Sequence, residues 1–253
     1  MMRHGDRPVV MVTGAARRIG LAIARAFAIA GCDLIITYNT SRDHVVAAQA
    51  TLTDLGARTR LEQVDLNDLV AVEASAQRLA ATLDRLDGIV HNASMYAPTP
   101  LSDVSSDEAL ALYRVNALAP LLLTRHLAPL LAQSPLPGGG CVVAMTDVHA
   151  MGRPRVGYSA YAMSKAALAE MVRSLARELA PRVRVNGVAP GVVAWPESGR
   201  EADPDAQAAY LRRVPLARAG TPEDAAETVR WLTLDAHYIT GEIIRLDGGR
   251  ALA

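Results

Sequence analysis

Short apolar runs alternate with alanine- and leucine-rich stretches of helical spacing along this chain, and that alternation constrains its fold more than any other feature. The runs are Pro8 to Thr13, Asp33 to Tyr38, Thr59 to Val64, Leu86 to His91, Cys141 to Met145, Arg182 to Val188 and Ile239 to Leu246. Between them the pattern predicts helices over Ile19 to Ala30, onward to Leu55 after the second run, over Ala71 to Leu83, Val104 to Ala132 and Gly157 to Ala180, and from Thr221. Val104 to Ala132 reads as one long helix bent near Pro120, because proline has no N–H for the helical ladder. Strand and helix in regular alternation imply parallel pairing, hence an α/β fold: a doubly wound parallel sheet with helices on both faces. Ligands in such sheets lie beyond the carboxyl ends of the strands, where Gly14, Asp65, Asn92 and Asp147 all fall.

Thr13-Gly14-Ala15-Ala16-Arg17-Arg18-Ile19-Gly20 joins the first strand to a helix that Gly31 caps. Gly14 permits a tight turn, Gly20 lets the helix pack on the strand, and the free N–H groups of the turn can bind a pyrophosphate. After the second strand come Asn39, Thr40, Ser41 and Arg42, with no acid before Asp43. An acid there would hold the free ribose 2′-hydroxyl of NAD, whereas small hydroxyls and an arginine suit the 2′-phosphate of NADP, so NADPH is the expected cofactor. A polar loop that merely caps the next helix is the alternative.

Tyr161 and Lys165 stand four apart in a stretch with helical pattern, so phenol and ammonium are expected to be neighbours on one face. A nearby cation would lower the phenol's pKa from about 10 and make Tyr161 a proton donor and acceptor near neutral pH. A solvated surface pair is the alternative, and composition argues against it. The chain has 25 Arg and one Lys in 253 residues, and that Lys falls four residues after one of 7 Tyr, a chance of 7/253, or about 3%. Arginine's wide planar fork cannot replace a compact ammonium that must reach both a phenol and a sugar hydroxyl.

Asn116 lies in an apolar helical stretch where a helix former is expected, either as a functional group or as a buried amide bound to local backbone. From about residue 190 to 220 the pattern is polar and irregular, as a lid over substrate would be; Trp195 in it either lines the pocket or packs the loop on the core. At 253 residues the chain is expected to be one domain over residues 1–253. Lys+Arg 26 against Asp+Glu 26 gives no field favouring nucleic acid or an anionic membrane, which points to a small-molecule substrate. No apolar run reaches the 18 or so residues of a membrane span and the start is polar, so a cytoplasmic protein is expected. Cys32 and Cys141 read as inert core thiols, and the six His show no paired ligand spacing, so no metal is expected.

Thr13-Gly14 with Gly20, Asn92-Ala93, Asn116, Tyr161 with Lys165, Pro190-Gly191 and Asp247-Gly248-Gly249 together resemble the motif set of the short-chain dehydrogenase/reductases, along the whole chain. The resemblance implies a Rossmann-type single domain, a homotetramer or homodimer, in which Tyr161 protonates the reduced substrate. It further implies that Lys165 binds the nicotinamide ribose and tunes the tyrosine, that Asn116 supports a proton-relay water, and that Asp65 contacts the adenine. Ile19, Leu66, Ala93, Ser94, Pro190 and Gly191 join the implied cofactor set.

Three departures narrow the resemblance. Arg18 stands at the family's middle glycine, Asp147 at its serine though fourteen residues before Tyr161, and His91-Asn92-Ala93-Ser94 at its Asn-Asn-Ala-Gly. With Tyr96 following, and with the segments Asn92 to Leu101 and Arg184 to Glu197, these resemble the pteridine reductases. The extra residue before Tyr161 leaves Asp147 or Thr146 as its partner. That likeness implies NADPH-dependent reduction of a pterin, with Tyr96 stacked on its ring, Arg18 reaching its polar edge, and Ser94, Asp147, Tyr161 and Trp195 around it. A carbonyl reductase of oxoacyl thioesters or sugars and a non-enzymatic dinucleotide sensor are the alternatives.

Overall fold

The computed structural model describes residues 7–152, 154–196 and 200–252; the polar first six residues and residues 197–199 of the expected lid lie outside them. Among the described residues, seven strands form: β1 Val9–Val12, β2 Asp33–Tyr38, β3 Thr59–Gln63, β4 Gly88–His91, β5 Gly140–Met145, β6 Val183–Pro190 and β7 Ile243–Leu246. They form one sheet in the order β3-β2-β1-β4-β5-β6-β7, with every neighbouring pair parallel. The same described residues form eight α-helices, α1 Arg18–Ile29, α2 Arg42–Asp54, α3 Leu69–Thr82, α4 Ser106–Tyr113, α5 Ala119–Leu131, α6 Ser159–Glu178, α7 Pro204–Leu211 and α8 Pro222–Leu234.

Side chains alternate across a strand, so each strand feeds two cores. Val10 and Val12 join Phe27 of α1, Leu52 of α2 and Leu232 of α8 on one face. Val9 and Met11 join Leu79 of α3, Leu123 of α5 and Leu168 of α6 on the other. Burial on both faces makes the central strands read as unbroken apolar runs rather than alternating ones. Each such Leu, Val or Phe contributes about 1.5–3 kcal/mol when fully buried. Among the described residues no helix is long and apolar enough to cross a membrane.

Three expectations need correction. The long helix deviates before Pro120, in a π turn over Arg114–Leu118 between α4 and α5. There Ala119 N–H donates to the Arg114 carbonyl, and Pro120 has no N–H to offer Asn116 four residues back. The last strand starts at Ile243 instead of Ile239, because Gly241 turns the chain at φ +80 while Asn186 binds the Ile239 carbonyl at 2.8 Å and the Glu242 N–H at 3.2 Å. The stretch beyond β6 is not irregular throughout: Arg200–Ala202 makes a 3₁₀ turn, and Asp203 caps α7 by accepting from Ala206 N–H at 3.1 Å, with Pro204 at its start.

Candidate active site

The strand order reverses direction between β1 and β4, and an open crevice forms there. The buried Thr13 hydroxyl accepts from the Asn92 and Ala93 N–H groups, both at 3.0 Å. The Asn92 amide donates to the Thr13 carbonyl at 3.0 Å and the Gly14 carbonyl at 3.3 Å. Gly14 takes φ +66, which glycine adopts without steric cost. A Cβ on Gly20 would overlap the Gly14 carbonyl oxygen and stand 2.6 Å from Asn92 Nδ2. Gly20 therefore makes room for the turn and for Asn92, rather than for the strand as expected.

Arg18 also has a left-handed backbone, φ +54, a conformation that costs a non-glycine residue roughly 1–2 kcal/mol. Its guanidinium donates to the Ala194 and Trp195 carbonyls at 3.3 and 2.8 Å, tying the glycine turn to the segment after β6.

Beyond the crevice lies a cavity of about 510 Å³. Gly14, Arg17, Arg18, Ile19 and Gly20 line one end; Asn92, Ala93, Ser94, Pro190 and Gly191 line its flanks. Tyr161, Lys165, Asp147 and Tyr96 also stand in the wall. The Tyr161 hydroxyl donates to Asp147 Oδ2 at 2.7 Å, and Asp147 Oδ1 accepts from His149 N–H at 2.7 Å. Thr146, the other candidate partner, is buried and donates to the Val188 carbonyl at 3.0 Å. Asp147 thus meets the phenol and Thr146 closes the sheet.

The buried Lys165 ammonium donates to the Met145 carbonyl at 2.7 Å, at the end of β5. Burial pulls its pKa down to about 8, opposed by the Asp147 charge. The phenol of Tyr161 is pushed up, first by burial and then by the Asp147 carboxylate it binds. This overturns the expected lowering by Lys165: the ammonium is turned to a backbone carbonyl, and the phenol's near neighbour is an anion.

Asn116 stands behind the wall, buried in the π turn. Its Oδ1 accepts from Ser94 Oγ at 3.1 Å and Met95 N–H at 2.8 Å, and its Nδ2 donates to the Met95 carbonyl and Ser164 Oγ, both at 2.9 Å. Three of these bonds hold the loop after β4, and the fourth ties Asn116 to α6. Tyr96 in that loop stacks on Tyr158 at 5.2 Å and meets the Tyr161 ring edge-on at 4.9 Å. Trp195 is not in the cavity wall; its ring packs edge-on against Tyr210 at 5.5 Å, and Tyr210 lines the cavity instead.

Asn39, Thr40, Ser41 and Arg42 lie past the end of β2, with Asp65 and Leu66 past β3, outside the cavity wall. The Asn39 carbonyl accepts from Gln63 Nε2 at 3.0 Å, Asp65 Oδ1 accepts from Asn67 N–H at 2.9 Å, and Leu66 is buried. Sequence reasoning missed Arg155, Tyr158, Glu201 and Tyr210. Tyr158, three before Tyr161, had a helical-spacing signal; the Arg155–Glu201 ion pair joins residues 46 apart and had none.

These residues fit a dinucleotide. Among the described residues, α3, α4, α7 and α8 each have a side-chain N-cap. By contrast α1, which follows the glycine turn, and α2, which follows the end of β2, have none; α5 continues directly from the π turn, and at the start of α6 the Ala160 N–H donates to Thr99 Oγ1 at 3.2 Å. Uncapped N–H groups at the positive end of a helix are suited to phosphate.

A sequence model of the family described as Enoyl-(Acyl carrier protein) reductase matches residues 14–251. Pteridine reductase 1 of Leishmania tarentolae is 33% identical over 283 residues, covering 97% of this chain and 96% of that protein. The 3-oxoacyl-(acyl-carrier-protein) reductase of Synechocystis sp. is 32% identical over 252 residues, covering 96% and 97%. Among solved structures, a blue fluorescent protein from a metagenomic library in complex with NADPH superposes with a TM-score of 0.86 at 31% identity, covering 96% of this chain and 98% of that one. By sequence and by architecture alike, the chain belongs to the short-chain dehydrogenase/reductase family of NAD(P)H-dependent oxidoreductases.

Proposed function

We propose that this protein is an NADPH-dependent reductase of a pterin, with Tyr161 as proton donor. The observation that carries the reading is the 2.7 Å hydrogen bond from Tyr161 to Asp147, a carboxylate where the family resemblance leads one to expect a hydroxyl. Bound NADPH would supply a hydride. Gly14, Arg17, Arg18, Ile19, Gly20 and the open start of α1 would hold its pyrophosphate, and Asn39, Thr40, Ser41 and Arg42 its 2′-phosphate. Asp65 and Leu66 would contact the adenine. Asn92, Ala93, Ser94, Pro190, Gly191 and Lys165 would flank the nicotinamide end.

The protein's own chemistry is proton transfer. When Tyr161 gives up its proton, a phenolate beside the Asp147 carboxylate would put two like charges in a buried site, so the proton lost to substrate must be replaced from solvent, taken up by Asp147 and passed on to the Tyr161 oxygen. A ketone develops negative charge on oxygen as it is reduced, which a carboxylate repels. Reduction of a pterin C=N needs a proton on nitrogen, which the Tyr161–Asp147 pair can relay. Asn116 holds the Ser94–Met95 loop in place, and Tyr96 and Arg18 stand in the wall where the pterin's face and polar edge would lie. The same reading takes the chain as one domain with residues 190–220 as its lid, a homodimer or homotetramer in the cytoplasm.

The second reading is reduction of a 3-oxoacyl thioester, favoured by the 32% identity to a reductase of that class. NADPH oxidation measured with dihydrobiopterin and with an acetoacetyl thioester separates the two. Dihydrobiopterin is expected to give the higher kcat/KM, and Asp147→Ser to damage its reduction far more than NADPH binding. A higher kcat/KM with the thioester would replace the pterin reading with the carbonyl one.

A further inference from the structure

At the rim of the cavity three loops meet through side chains. Arg155, between β5 and α6, forms an ion pair with Glu201 of the 3₁₀ turn after β6. Arg155 Nη1 donates to the Tyr96 hydroxyl at 2.6 Å, and that hydroxyl donates to Glu201 Oε2 at 2.8 Å. The guanidinium carbon also lies 4.2 Å from the centroid of the Tyr158 ring, a cation–π contact that fixes its position. The Arg155 and Glu201 side chains keep 27% and 20% of their exposure, whereas Tyr161 and Lys165 deeper in the same cavity are buried.

Charge is distributed unevenly along this cavity. Apart from His149, the charged side chains among the described lining residues are Arg17, Arg18, Asp147, Arg155, Lys165 and Glu201. Arg17 and Arg18 sit at the glycine turn, where an anionic cofactor is to be held. Asp147 with Lys165, and Arg155 with Glu201, are opposite pairs that sum to zero. Beyond Arg18, the described lining residues of the substrate end therefore offer aromatic rings and cations that a carboxylate offsets.

We propose that Glu201 is a specificity-determining residue: by occupying Arg155 at the rim it reserves the cavity for substrates without an anionic group. A carboxylate- or phosphate-bearing substrate would have to displace Glu201 from Arg155 and leave a partly buried carboxylate unpaired. Removal of the Glu201 charge frees Arg155, and the preference reverses. The inference deepens the reductase reading without depending on which substrate class is right.

The test is calorimetric binding to the NADP⁺-loaded protein with two matched pairs. One is pterin against pterin-6-carboxylate; the other is the N-acetylcysteamine thioester of acetoacetate against acetoacetyl-coenzyme A. The unmodified protein is expected to bind the neutral member of its preferred pair more tightly. Glu201→Gln should shift the ratio toward the anionic member by about tenfold, the scale of one charge-assisted contact, and Glu201→Gln with Arg155→Gln should abolish the shift. Thermal melting of each variant checks folding. Tighter binding of the anionic member to the unmodified protein, or no change of ratio in Glu201→Gln with either pair, would overturn the proposal. The pterin reading fails separately, if the thioester pair binds and the pterin pair does not.

Discussion

The two ends of the cavity are built on different physical terms. At the cofactor end, the turn from Thr13 to Gly20 and the loop at Asn92 are locked by short bonds between the ends of buried neighbouring strands. Small residues and backbone do most of the work, and a single methyl at Gly20 has nowhere to go. At the substrate end, Tyr96, Arg155 and Glu201 come from three separate stretches and meet through side chains. The first end is rigid because strand pairing defines it; the second depends on contacts that one substitution can undo. Binding common to a family and selectivity particular to one member can therefore change independently.

Tyr161→Phe should separate the ends most sharply. Turnover is expected to fall by roughly 10²-fold or more, since general acid catalysis contributes at least that much, while NADPH affinity stays within about twofold. Near-normal turnover would remove Tyr161 from the chemistry. Gly20→Ala should do the reverse. Overpacking against the Gly14 carbonyl and Asn92 costs about 1–3 kcal/mol, so NADPH is expected to bind roughly 10- to 100-fold more weakly; unchanged affinity would show that the turn yields more easily than its geometry implies.

Within the cofactor end, Asn39→Asp is expected to lower the preference for NADPH over NADH by about tenfold, the scale of a charge-assisted contact to the 2′-phosphate. Equal kcat/KM with the two cofactors in the unmodified protein would refute that assignment. The smallest effect falls on Lys165, which belongs to both ends. Its folded pKa is depressed to about 8 by burial, against about 10.4 for a free lysine. The unfolded chain therefore holds more protons between those values, and this group's contribution to stability rises with pH across that window. NADPH affinity should move oppositely, falling roughly fourfold by pH 8.5 as the ammonium is lost. A titration as flat as that of Lys165→Met would exclude the ammonium from cofactor binding.

Sequence alone determined what is local and periodic. Apolar runs and helical spacing specified the strands and their order of appearance, most plainly the five inner ones, because two-sided burial in a parallel sheet demands continuous apolar strands. Gly14 declared its turn, since a left-handed φ leaves few other residues. The lone lysine four residues after Tyr161 marked the centre by composition. Tertiary structure decided what depends on direction and distance. Spacing put Tyr161 and Lys165 on one helix, but packing turned the ammonium to Met145 and the phenol to Asp147. Thr146 and Asp147 differ by one residue and both border the cavity, but the Thr146 hydroxyl binds the Val188 carbonyl while the Asp147 carboxylate meets the phenol. The Arg155–Glu201 pair had no sequence signal, because an ion pair between loops is made by the sheet that brings those loops together and by nothing local to either.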